Sequence, residues 1–151
     1  MTRWSAGEAE IEKLLDEGRL QRVQGGQASG THLIDKAGRT LATAAEIAEA
    51  DPDSAYVLAY DAARYAGTAL LAHQGLRPTT SGGHYAVEVA LRAQFGARFR
   101  AFGAMRRRRH ELEYPNGPGE STTRTEALAA VTDARVLLDA ARKLIGPLGM
   151  F

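Results

Sequence analysis

The chain has 151 residues, 25% of them charged, a formal net charge of +1 and no cysteine. That length suits a single domain that buries a core without staples, and the missing thiols exclude disulfides and thiolate metal centres. No apolar run approaches a membrane span, the N-terminus lacks the basic-then-apolar pattern of a secretion signal, and a total charge this small leaves local clustering as the source of any affinity for polyanions; a soluble cytoplasmic protein with no membrane partner is expected.

In chain order, Ser5 is placed to cap a first helix whose apolar stripe is Ala9, Ile11, Leu14 and Leu15 with Leu20, weakened at its end by Gly18. The segment Gln24-Gly25-Gly26-Gln27-Ala28-Ser29-Gly30 is too polar and glycine-rich for a regular element. It matches no phosphate-cradling pattern, because no strand precedes it and no lysine follows its last glycine. Residues 1–30 are therefore read as an N-terminal helix and linker, and 31–151 as a helical bundle, with one domain overall. Leu33, Ala37, Leu41, Ala44, Ala45, Ile47 and Ala48 make a second stripe, with Thr31 as its cap. Asp51-Pro52-Asp53-Ser54 stops that helix and restarts another capped by Asp53 or Ser54.

From Ala55 to Gln74 the chain carries only Asp61 and Arg64 as ordinary charges, and a helix apolar almost all round is the buried one. Asp61 and Arg64, three apart, can pair with each other or reach a polar cluster on another helix. Gly75 ends this helix, a breaker-rich connection follows, and His84 opens the next, which closes near Gly96. Phe99, Phe102 and Met105 supply the apolar side of the helix after that, and Tyr114-Pro115 ends it. Ser121 or Thr122 caps a last helix with Ala127, Leu128, Val131, Ala134, Leu137, Leu138, Ala141 and Ile145 as its stripe, stopped by Gly146-Pro147. No useful length of alternating pattern is present, so the fold class is all-α, an up-and-down bundle of five to six helices.

The chemistry concentrates in Ala104-Met105-Arg106-Arg107-Arg108-Arg109-His110-Glu111-Leu112-Glu113-Tyr114-Pro115. At helical spacing Arg106, Arg109 or His110, and Glu113 or Tyr114 share a side. The plain alternative is a solvated face in which Arg107 with Glu111, or Arg109 with Glu113, form surface pairs worth a few tenths of a kcal/mol. Arg98 and Arg100 lie upstream with no acid between them and Arg109, so the run repels itself and calls for an anionic partner, with phosphate the favoured one.

The pattern resembles the HEPN superfamily of helical bundles, and within it an actinobacterial branch. The likeness is carried by the alanine-rich helix from Ser54 to Leu71, the Gly75-Leu76-Arg77-Pro78 turn, the Gly82-Gly83-His84 helix start and the Arg106 to Pro115 helix end. It implies an RNA- or nucleic-acid-interacting protein of a bacterial toxin-antitoxin, defence or RNA-processing system, acting as a homodimer. Tyr56, Tyr60 and Ala63 are read as apolar surface in excess of one bundle's needs. Nuclease members carry an arginine followed, after four to six residues, by a histidine. With Arg109 as that arginine, His110 takes the polar position and Tyr114 the histidine's place, and a phenol whose ordinary pKa is about 10 is a poor base.

The resemblance thus implies a degenerate motif at Arg109, His110 and Tyr114. Arg106, Arg107, Arg108 and Arg100 would be the phosphate contacts, Asp61, Arg64 and Glu113 would support them, and no metal or cofactor is implied. The alternative is an active metal-independent endoribonuclease in which Arg109 or Arg106 holds the phosphate and His110 moves the proton. A third reading makes the protein the partner of an antitoxin or of a nucleotidyltransferase that modifies Tyr114.

Overall fold

The computed structural model describes residues 4–151, so the first three residues of the expected N-terminal segment lie outside the described residues. Helices α1 (Glu8–Asp16), α2 (Thr31–Ile47), α3 (Pro52–His73), α4 (Gly83–Phe95), α5 (Arg100–Glu113) and α6 (Arg124–Ile145) dominate, joined by short 3-10 turns at Gly25–Ala28 and Gly96–Phe99. The fold is an all-α bundle. One departure from the sequence reading is a small antiparallel ribbon of β1 (Leu20–Arg22) and β2 (Leu76–Pro78), in which Leu20 faces Pro78 and Arg22 faces Leu76. Leu20 therefore belongs to a strand, not to the stripe of the first helix. Three-residue strands are too short for an alternating pattern to register, and what holds them is burial of Leu20 and Leu76.

Helix α3 is the axis of the molecule. Its alanines and Gly67 are small enough for α2 and α6 to pack along it, with α4 and α5 closing the remaining side and α1 lying on α4. A Cβ at Gly67 would run into the Leu91 side chain, so the α3–α4 approach depends on glycine there. Ile11 and Leu14 of α1 share one core with the rest of the bundle. Tyr56, Tyr60 and Ala63 are buried inside the single chain, which removes them as surplus surface for a homodimer.

The caps differ from the expected ones by a few residues. Gly7 rather than Ser5 precedes α1, and Thr31 is the first residue of α2 behind Gly30. Asp51 caps α3, accepting from the backbone N–H of Ser54 at 3.2 Å, with Pro52 in the first helical position. Thr123 caps α6 through the Glu126 N–H at 3.1 Å. Asp53 is thereby free to accept from the Thr122 N–H at 2.7 Å, which ties the start of α3 to the start of α6.

Two contacts set the orientation of α5. The Tyr60 and Phe102 rings stack 5.3 Å apart with both side chains fully buried, a pair worth about 0.5–1.5 kcal/mol beyond its buried area. On the α4 side, Gly103 brings the α5 backbone so close that a Cβ there would strike the Glu88 carboxylate. With Phe102, Met105 and Leu112 turned into the core, the polar residues between them must leave α5 in several directions.

Candidate functional site

The four consecutive arginines diverge onto three neighbouring helices. Arg106 donates from Nε to Glu88 Oε2 of α4 at 2.6 Å, and Arg107 reaches the other oxygen of the same carboxylate at 3.7 Å. Glu88 is only 6% exposed, and Arg92 also approaches it at 3.7 Å. Arg108 turns toward α6, donating to Glu126 at 2.6 Å, to Glu111 at 2.8 Å and to the Ser121 carbonyl at 3.2 Å. That contact with Arg108 holds the Glu126 carboxyl below its ordinary range. Of the two surface pairs expected from spacing, Arg109–Glu113 is present at 3.8 Å, whereas Arg107 leaves Glu111 to Arg108 and turns to Glu88. The self-repulsion expected of the run is thus relieved within the fold by carboxylates from α4 and α6.

Arg109 behaves differently. Its guanidinium lies 5.9 Å from the centre of the Tyr60 ring, facing α3, and its Glu113 contact is long. Arg64 on α3 is similar: it reaches Asp61 only at 3.9 Å and lies 4.7 Å over the Tyr65 ring. The His84 ring, at the start of α4, sits 5.6 Å from the Tyr60 ring. Burial, and then the positive charges of Arg64, Arg109 and Arg106, push His84 down to about 4, so at neutral pH the imidazole carries no charge. Burial pushes the Asp61 carboxyl up, against the opposing pull of Arg64 and Arg109, and Glu113 adds to the rise.

Tyr60 Oη, Arg64 Nε and Arg109 Nε are all buried, and none makes a hydrogen bond. Buried donors without partners each cost about 1–3 kcal/mol, so three in one cluster mark a place short of acceptors. The contrast with Arg106 and Arg108, both bonded at 2.6 Å, separates arginines committed to carboxylates from arginines that are not.

No family model, curated protein or solved structure matches the chain. The structure brings Arg109, Arg64, Asp61 and Glu113 together, all named from the sequence, and adds His84, Tyr60 and Arg106 around them. It does not assemble Arg109, His110 and Tyr114 as one group. His110 and Tyr114 are exposed and lie beside each other, with ring centres 5.0 Å apart, while Arg109 faces the α3 side. Arg100 lies elsewhere again, lining a groove of about 360 Å³ with Arg98, Asp133 and Val136. Among the described residues no group of three or more potential ligands is arranged for a metal, and no helix is long and apolar enough to cross a membrane.

His84 and Glu88 were missed as functional residues. The signal was present in part: both lie on one face of α4 at i,i+4 spacing, in a helix whose only other charged or amide side chains are Arg92 and Gln94. Their partners on α3 and α5 are set by the bundle and leave no trace in local spacing.

Proposed function

We propose that the protein is a nucleic-acid-binding helical bundle of the HEPN kind that receives a phosphate of RNA at the cluster of Arg64, Arg109, His84 and Tyr60. The observation that carries this is the set of unpartnered buried donors, Tyr60 Oη, Arg64 Nε and Arg109 Nε. A phosphate oxygen accepts from guanidinium N–H groups in charge-assisted bonds about twice as strong as neutral ones. The long contacts of Arg64 to Asp61 and of Arg109 to Glu113 leave both guanidiniums able to turn to such a ligand without breaking a short ion pair. A cytoplasmic setting and a homodimeric assembly belong to the same reading.

His84, not His110, is the histidine grouped with Arg109, which favours binding over a cleavage mechanism built on His110. The test is fluorescence anisotropy of a labelled single-stranded RNA against salt. Replacing Arg64 and Arg109 by glutamine should weaken binding and lower the slope of log K against log salt by about 0.7 for each phosphate that the variant no longer neutralises. Arg106→Gln and Arg108→Gln should act mainly on the melting temperature. Unchanged affinity and slope in the Arg64/Arg109 variant would overturn the proposal.

A further inference from the structure

The cluster faces inward more than outward. Tyr60 is fully buried, and the side chains of Arg64 and Arg109 are 25% and 20% exposed. Three of the unpartnered buried atoms belong to this cluster and come from two helices, the phenol O–H and two guanidinium N–H groups, with the neutral imidazole of His84 beside them on a third helix. A phosphodiester inside a chain has only two free oxygens and nucleotides on both sides, so burying it between helices also requires room for those flanking nucleotides. A terminal phosphomonoester has three free oxygens, carries about −1.5 to −2 charges at neutral pH and is tethered on one side only.

Resting on the phosphate reading above, we infer that the largely buried cluster of Tyr60, Arg64, His84 and Arg109 takes a terminal phosphate monoester, as at the end of an RNA chain, rather than an internal linkage. Tyr60 would donate from its buried position on α3, Arg64 from α3 and Arg109 from α5 would donate to the remaining oxygens, and Arg106, held by Glu88, would add positive charge without moving. Asp61 sits against both arginines, and its carboxylate would oppose a dianion, so the ligand must draw Arg64 and Arg109 away from it.

The experiment uses the whole chain and one short RNA sequence prepared in four forms: a 5′-phosphate, a 3′-phosphate, hydroxyls at both ends, and a covalently closed circle. Inorganic phosphate and adenosine monophosphate serve as competitors. At least one phosphorylated form should bind about tenfold or more tighter than the hydroxyl-ended RNA and the circle, the effect of a single charge-assisted hydrogen bond. That preference should disappear in Arg64→Gln/Arg109→Gln and shrink in Tyr60→Phe, a change too small to unfold the chain. If all four forms bind alike and binding still depends on Arg64 and Arg109, the end-group inference is overturned while the phosphate reading stands. If the two arginines have no effect on any form, both fall. Competition by adenosine monophosphate at concentrations below those of the RNA would keep the monoester chemistry and overturn RNA as its source.

Discussion

Glu88 offers the sharpest test of how the arginine helix is held. Its carboxylate, 7% exposed as a side chain, accepts from Arg106 Nε at 2.6 Å, while Arg92 and Arg107 stand at 3.7 Å and are each about two-thirds exposed. Removing one partner of a fully buried pair costs about 3–5 kcal/mol. Arg106 is 29% exposed and regains some water when Glu88 is lost, which brings the expected cost of Glu88→Gln to about 2–3 kcal/mol. The two outer arginines contribute less than about 0.5 kcal/mol each, because their charges remain solvated. For a chain of this size the loss of about 2–3 kcal/mol from the Arg106 pair alone is a fall of about 4–12 °C in melting temperature. Calorimetry on Glu88→Gln, Arg106→Gln and the double variant would return a coupling of about 1–3 kcal/mol between them. A Glu88→Gln protein melting within about 1 °C of the parent would refute the idea that this carboxylate fixes α5.

Three further outcomes follow from the same geometry. Tyr60→Phe deletes a buried hydroxyl with no partner, so it should leave stability unchanged or raise it by up to about 1 kcal/mol, and a loss above that in chemical denaturation would show a partner for the hydroxyl. His84 has a folded pKa of about 4, below the ordinary value of 6.5, so the unfolded chain takes up its proton first. Stability from this group is full above about pH 6.5 and declines as pH falls toward 4. Discounted for partial exposure it amounts to about 1–2 kcal/mol, and denaturation of His84→Gln across that range should show a flatter pH profile. Gly103→Ala should displace the Glu88 carboxylate from Arg106 at a cost of about 1–3 kcal/mol, and a variant as stable as the parent would show that the α4–α5 approach has slack.

The helices and their breaks were legible because each stripe and each glycine or proline acts locally. Helix α3 could be recognised as the buried one from its alanines, and the end of α5 from Tyr114-Pro115. The ribbon and the caps escaped because three-residue strands carry no period, and because Asp51 and Thr123 compete with adjacent residues of equal capping ability. The arginine run was legible as a cluster but not in its allegiance. Arg106 and Arg108 find Glu88 and Glu126, each eighteen residues away in sequence and on another helix, and only the bundle brings them together. Spacing along α5 could suggest Glu111 and Glu113 as partners, which describes Arg109 and part of Arg108. The role of His84 depends on α3 and α5 both crossing the start of α4.

Arg106 and Arg108 are bonded to carboxylates within the fold, whereas Arg64 and Arg109 are the two that would hold the proposed phosphate. Arginine Nε–H resonances report each guanidinium separately, so a heteronuclear correlation spectrum of the labelled protein, recorded while a phosphorylated single-stranded RNA is added, addresses that division residue by residue. The Nε–H signals of Arg64 and Arg109 should shift and sharpen as they gain an acceptor, with those of Arg106 and Arg108 unmoved in their bonds to Glu88 and Glu126. Shifts confined to exposed Arg100 and Arg107, with Arg64 and Arg109 silent, would contradict it.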